Sequence, residues 1–234
     1  MKKILSILSF VLICTSASSQ VLISIILGDK LNSGKIEFGL EGGANWSTIK
    51  GLGESKTLPG FNLGFYFDIK LKNPSWMINT GVIVKSPMGA NNLPVYSLNN
   101  DTLDQAFAGG HVERKLRYFN VPVLIKYNFR NNIFIKGGIQ LGLLHKAFDE
   151  FFNTIIEKDD ITFKMKTRDQ FNSIDAGFAF GVGYRLLKGN GMNLNLQYYY
   201  GLTDIMKNDL SPAQFNRVLY LTAGIPIGKN PKSK

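Results

Sequence analysis

Apolar and polar residues alternate with period two along most of this chain, and clusters of Gly, Asn, Asp and Pro interrupt the alternation at intervals. Such a pattern predicts β-strands with one apolar face. No sustained helical rhythm appears beyond Lys35. The clearest strand is Phe61 to Leu71, with Phe61, Leu63, Phe65, Phe67, Ile69 and Leu71 on one face and Asn62, Gly64, Tyr66, Asp68 and Lys70 on the other. Similar segments are predicted at Ile36 to Trp46, Trp76 to Lys85, Leu116 to Phe129, Asn132 to Leu144, Asn172 to Leu186 and Met192 to Leu202. The last segment, Arg217 to Ile227, is apolar on both faces, so its parity is open. Pro122 lacks a ladder donor, and a bulge or local break is expected there.

These segments reach the roughly 9–11 residues that a tilted strand needs to cross a bilayer. Their connections alternate strictly. Long ones are Ser47 to Gly60, Ser86 to Lys115, His145 to Phe171 and Thr203 to Asn216, and tight ones are built on Asn73-Pro74, Arg130-Asn131 and Gly189-Asn190-Gly191. Eight strands, short turns at one rim and long loops at the other predict an all-β, antiparallel, up-and-down transmembrane β-barrel with short periplasmic turns and long extracellular loops. Aromatic residues divide between two levels, as interfacial side chains do. Trp46, Phe61, Tyr198 and Tyr200 fall toward the long-loop rim, and Trp76, Tyr127, Phe129 and Tyr184 toward the other.

The N-terminus changes the cellular picture. Residues 1–19 place two lysines before an apolar run and a Ser/Ala-rich break, the order of a cleaved secretory signal. Cys14 follows the bulky Ile13, which disfavours lipidation. Val21 to Leu27 is apolar again and leaves an uncleaved anchor as an alternative. The expected division is signal 1–19, an N-terminal segment 20–35, the barrel 36–228 and a basic tail 229–234. The sole cysteine lies in the signal, so the mature chain has no disulfide. The formal charge is +10, of which Lys2 and Lys3 leave with the signal. Export argues against nucleic acid, and the expected partners are outer-membrane lipid, lipopolysaccharide and other envelope or secretion proteins.

If the apolar face meets lipid, the opposite face fills the lumen with Glu37, Glu41, Asp68, Lys70, Lys85, Lys126, Lys136, Asp175 and Arg185. Charges of both signs in a narrow lumen are expected to pair into a structural plug, because eight strands enclose little more than their own side chains. A proton relay or small-ligand site among these charges is the functional alternative. Catalysis has little to build on: His111 and His145 are the only histidines, too few for a persuasive metal site, and no hydrolase or nucleotide motif is present. A loose trio of His145, Ser173 and Asp149 is the one hydrolase candidate. No cofactor is expected. The long loops are the expected place for a partner, with Phe148, Phe151, Phe152, Ile155 and Ile156 among Asp149, Glu150 and Glu157, or else these residues extend the hairpin above the membrane.

FGLEGGANWS (Phe38 to Ser47), LRYFNVPVLIKYNF (Leu116 to Phe129), FIKGGIQLGLL (Phe134 to Leu144) and DAGFAFGVGYRL (Asp175 to Leu186) occur in this order. On these stretches the chain resembles the PorT-type outer-membrane β-barrel family from about Phe38 to Ile227. The resemblance implies an eight-stranded barrel, a role in or beside a protein secretion system, and no catalytic motif. The last strand departs from many such barrels by ending in Ile225-Pro226-Ile227-Gly228 without a terminal aromatic. Two other readings stay open here: an exported, soluble, lipocalin-like binding barrel, and an outer-membrane lipid hydrolase.

Overall fold

The computed structural model describes residues 33–154, 161–189, 191–208 and 212–227; the signal, Cys14, Val21 to Leu27, Ile155, Ile156, Glu157 and the basic tail lie outside them. Its strands are β1 (Ile36–Lys50), β2 (Leu58–Lys70), β3 (Trp76–Lys85), β4 (Pro87–Leu93), β5 (His111–Asn128), β6 (Ile133–Asn153), β7 (Ile161–Lys166), β8 (Ile174–Arg185), β9 (Asn193–Gly201) and β10 (Phe215–Pro226). Among the described residues, two short α-helices, α1 (Asp101–Phe107) and α2 (Leu186–Gly189), and a 3-10 turn at Arg168–Gln170 sit in connections.

Eight of these strands close a wall. The order β1-β2-β3-β5-β6-β8-β9-β10 returns to β1 through an antiparallel β1–β10 ladder running from Gly39 opposite Pro226 to Lys50 opposite Phe215. Closure leaves no unpaired edge in the wall, the condition for crossing lipid with strands. β4 and β7 are additions: β4 pairs with the outer part of β5 and β7 with the outer part of β6.

Two of the expected long loops therefore contain strands: Ser86 to Lys115 holds β4 and the start of β5, and His145 to Phe171 holds the end of β6 and β7. β5 and β6, 18 and 21 residues long, stay paired from Asn128 opposite Phe134 up to His111 opposite Phe152. At about 3.4 Å per residue they run well past the hydrocarbon layer. The helix α1 lies on this extension, capped by the Asn100 side chain accepting from the Thr102 and Leu103 amides and pinned by Asn153, whose amide donates to the Ala106 carbonyl at 2.8 Å. The break expected at Pro122 falls on the β3 side, where pairing skips from Val123 to Asn120, and the Thr80 hydroxyl donates to the Pro122 carbonyl at 2.8 Å.

Side-chain parity decides which face is which. Ile174, Phe180 and Leu143 are 61%, 56% and 54% exposed on the outer wall, while Asn45, Gln140 and Asn216 are fully buried inside. This is the reverse of what a soluble ligand-binding barrel requires. A continuous exposed apolar wall of this kind has only lipid to cover it. β10 resolves its ambiguous parity the same way, with Leu219, Leu221 and Ile225 outward and Asn216, Val218 and Thr222 inward.

The apolar core sits elsewhere. Met88, Leu93, Phe107, Val112, Leu116 and Phe151 cluster beneath α1 and between β4, β5 and β6, closing the long-loop end. Bridges between Lys56 and Asn91 and between Phe171 and Met206 tie the remaining loops across this cap.

Candidate functional site

The lumen is built from inward positions of the wall, and its charges meet in tiers. Nearest the short turns, the Arg185 guanidinium binds Glu37 at 2.5 Å; Tyr66 donates to the same carboxylate and Asn193 donates to the Tyr66 hydroxyl at 3.1 Å. Glycine at position 39 makes room for this tyrosine, since a Cβ there would lie 2.4 Å from its ring. One tier further in, Lys126 binds Asp68 at 2.5 Å while Asn79 donates to the second Asp68 oxygen at 2.7 Å. The Lys126 ammonium also sits 4.2 Å from the Phe134 ring centre, and Lys136 donates to Asn79 at 3.4 Å.

Neutral amides and phenols occupy the middle and outer lumen. Asn195 donates to Thr222, the Ser86 and Tyr220 hydroxyls are 3.0 Å apart, and Asn216 donates to Asp175 at 2.8 Å. Gln140 Nε2, Asn195 Oδ1 and both amide atoms of Asn62 find no partner among the described residues. A void of about 20 Å³ lined by Asn62, Glu41, Asn79 and Lys136 has room for about one water. It is no conduit.

The cap above holds one more ion pair. Arg114 donates through Nε and Nη2 to both oxygens of Asp149, at 3.1 and 2.7 Å, and the Tyr96 hydroxyl donates to the same carboxylate at 2.9 Å. Burial, then the Asp149 charge and hydrogen bond, push the Tyr96 phenol well above its ordinary value, so it stays a donor. On the outer face of the extension, Glu150 lies between Lys115 and Lys164. Burial alone would raise its pKa, but the two ammonium groups hold the carboxyl below its ordinary value.

A family model for the outer membrane protein β-barrel domain matches residues 22–207. The chain belongs to that outer-membrane β-barrel family. Solved structures similar to it include the attachment invasion locus protein Ail of Yersinia pestis, at 14% identity over 82% of this chain and 99% of that one, TM-score 0.41. Neisserial surface protein A is similar at 14% identity over 84% and 98%, TM-score 0.41, and OprG from Pseudomonas aeruginosa at 14% over 83% and 97%, TM-score 0.40. No curated protein matches by sequence.

In this outer-membrane barrel the short turns are periplasmic and the cap is extracellular. Trp46, Tyr198, Tyr200, Trp76 and Tyr184 all stand on the outer wall, 38–43% exposed. Tyr127 packs against Trp76 at 4.8 Å between ring centres. Of the charges assigned to the lumen, Asp68, Lys126, Lys136 and Asp175 are buried inside, Glu37 and Arg185 pair at the periplasmic end, and Glu41 lines the small void.

Two do not belong to the network. Lys70 is exposed at the periplasmic rim, donating to the Gly34 carbonyl at 3.3 Å. Lys85 lies outside the barrel: the register shifts so that Lys85 pairs with Leu63 while Ile83 pairs with Gly64, leaving Val84 as the extra residue of a bulge. One added residue turns Lys85 to the other face, where its ammonium lies 5.5 Å from the Phe61 ring centre.

The proposed partner residues also divide. Phe151 is fully buried in the cap, in contact with Tyr96, Phe107 and Phe163, so it is core and not a docking residue. Phe148 faces outward but is covered by Arg117 and Lys164, and Phe152 stacks on His111 at 5.3 Å. His145, Ser173 and Asp149 do not converge: His145 stacks on Phe119 at 4.3 Å, Ser173 accepts from Arg168 at 2.8 Å, and Asp149 is held by Arg114 inside. Among the described residues no group of three or more metal-ligating side chains occurs. The Arg114–Asp149 pair escaped sequence reasoning, because the strands that carry it continue into segments that read as loop.

Proposed function

We propose that this barrel is a non-conducting, non-catalytic outer-membrane protein that presents its extracellular extension to another component of the envelope. A secretion-accessory role of the kind implied by the PorT-type resemblance is the form of that function the chain fits best. The observation that carries the reading is the double closure of the lumen. Arg185 with Glu37 and Lys126 with Asp68 cross it within the membrane, and the packed cap with Arg114 and Asp149 covers it outside. Solute passage would require separating buried charges, which costs several kcal/mol for each uncompensated group. The chain instead spends β4, β7 and α1 outside the membrane.

Reconstitution of the full chain in planar bilayers tests this. The expected record under an applied voltage shows no unitary current steps, whereas discrete, reproducible steps would overturn the plugged reading. A photo-crosslinker placed at Thr162 or His111, both on the extension, is expected to give one identified envelope protein as its adduct in living cells. Adducts with lipid alone would remove the docking role.

A further inference from the structure

Four cations run diagonally across neighbouring strands on the outer surface, where the extracellular extension leaves the membrane. Lys85 at the end of β3, Arg117 on β5, Lys146 on β6 and Lys166 on β7 are all exposed. The registers set Arg117 and Lys146 side by side and place the other two next to them, offset along the strands. Arg117 is opposite Lys146 on one flank and opposite Pro87, two residues from Lys85, on the other; Lys166 is opposite Phe148, two residues beyond Lys146.

None of the four belongs to an ion pair among the described residues, while Glu113 and Glu150 on the same face are occupied by Lys115 and Lys164. Aromatic rings hold two of them in place without neutralising them: Arg117 lies 4.9 Å from the Phe148 ring centre and Lys85 5.5 Å from that of Phe61. The apolar wall ends immediately below. Phe119, two residues from Arg117, is 40% exposed, and Leu143, three residues from Lys146, is 54% exposed. Uncompensated cations directly above a lipid-facing surface lie at the depth of lipid phosphates.

We propose that this sector binds a phosphate-bearing lipid of the outer leaflet, with headgroup phosphates on Lys85, Arg117, Lys146 and Lys166 and acyl chains along Phe119 and Leu143. The inference rests on the barrel's place in the membrane and is independent of the accessory role. The site also sets a preference. Cations on four neighbouring strands spread over about 14 Å across the strands, at roughly 4.8 Å per strand, and over a comparable distance along them, wider than a single phosphate reaches, so a headgroup with two phosphates fits best. Guanidinium and ammonium contacts to phosphate are charge-assisted and strong.

The test is native mass spectrometry of the full chain in detergent, titrated separately with diphosphoryl lipid A, monophosphoryl lipid A and phosphatidylglycerol. Diphosphoryl lipid A is expected to be retained about tenfold or more over the other two, given the loss of roughly two charge contacts with each. The fourfold variant Lys85→Gln, Arg117→Gln, Lys146→Gln, Lys166→Gln is expected to lose that preference while still folding, as judged by different electrophoretic migration of unheated and heated samples. Lys35→Gln with Lys70→Gln, at the periplasmic rim, is expected to keep it. Equal retention of the three lipids by the unaltered protein, or an unchanged preference in the fourfold variant, would overturn the proposal. So would binding of inorganic tripolyphosphate as tight as that of the lipid, which would mark a site for soluble polyanions. The comparisons on the unaltered protein decide the matter even if the variant fails to fold.

Discussion

Individual residues show where the lumen is vulnerable. Asp68 is 2% exposed, and its two oxygens are spoken for by Lys126 and Asn79. Removing the cation strands a buried carboxylate, while removing both charges does not. Lys126→Met is therefore expected to cost about 3–5 kcal/mol, and Asp68→Asn with Lys126→Met to recover most of that loss, in urea titrations of the protein folded into lipid vesicles. Equal destabilisation by the single and double variants would show that packing, and not the charge, is what Lys126 supplies. Residue by residue, the sequence makes most of this interior readable, because period two puts Asp68, Lys126, Lys136 and Asp175 on the face opposite the apolar rows. Lys85 is the instructive exception. Its alternation with Gly81 and Asn79 is unbroken in the sequence, and nothing there reveals that Val84 is a bulge, since a bulge is a property of two paired strands and not of one.

At the level of elements, the extension follows an inverted rule. Within the membrane, β5 turns Phe119, Val121, Val123 and Ile125 outward to lipid; outside it, Val112, Leu116 and Arg114 turn inward to the cap and charged residues face water. The switch falls at Arg117/Tyr118, where the β5–β6 register also shifts. The apolar residues thus change phase in the sequence, and that slip was the one available signal that Ser86 to Lys115 and His145 to Phe171 contain strands. β4 offered none, because PMGANNL has no apolar alternation to read. The extension also carries its own acid sensitivity. Glu150 is held below its ordinary value by Lys115 and Lys164 against its burial, and Asp104 is lowered first by the Ser97 hydroxyl and then by the Leu98 amide. Groups depressed on folding stabilise the structure above their unfolded pKa, and that contribution is lost as pH falls through the folded value. Amide exchange in β7 and α1, corrected for intrinsic rates, is expected to quicken once pH drops below the ordinary carboxylate range, while the spanning parts of β8 and β9 stay protected. Uniform exchange across all strands would show that the extension does not respond as a unit.

For the whole molecule, strand number and the alternation of short and long connections were legible in the sequence, whereas inside and outside were not. The stripe from Phe61 to Leu71 would suit a soluble barrel's interior equally well. Only the closed wall, with Leu63 and Phe61 exposed and Asn62 buried, distinguishes the two. Outer membranes carrying the protein are expected to retain it through carbonate and urea washes, and unheated samples to migrate apart from heated ones in electrophoresis; release by carbonate would contradict a spanning wall. The ladder between β1 and β10 has a further consequence, and it concerns time. The first and last strands of the barrel form its seam, so the wall cannot close until the end of the chain has arrived. Contacts this distant in sequence are slow to form, because loop closure must precede any gain from them. Until then both strands remain open edges, free to pair with another chain. Assembly of this protein is therefore governed by its final strand, and mutations that weaken Phe215–Pro226 should prolong the period of exposed edges before they alter the finished barrel.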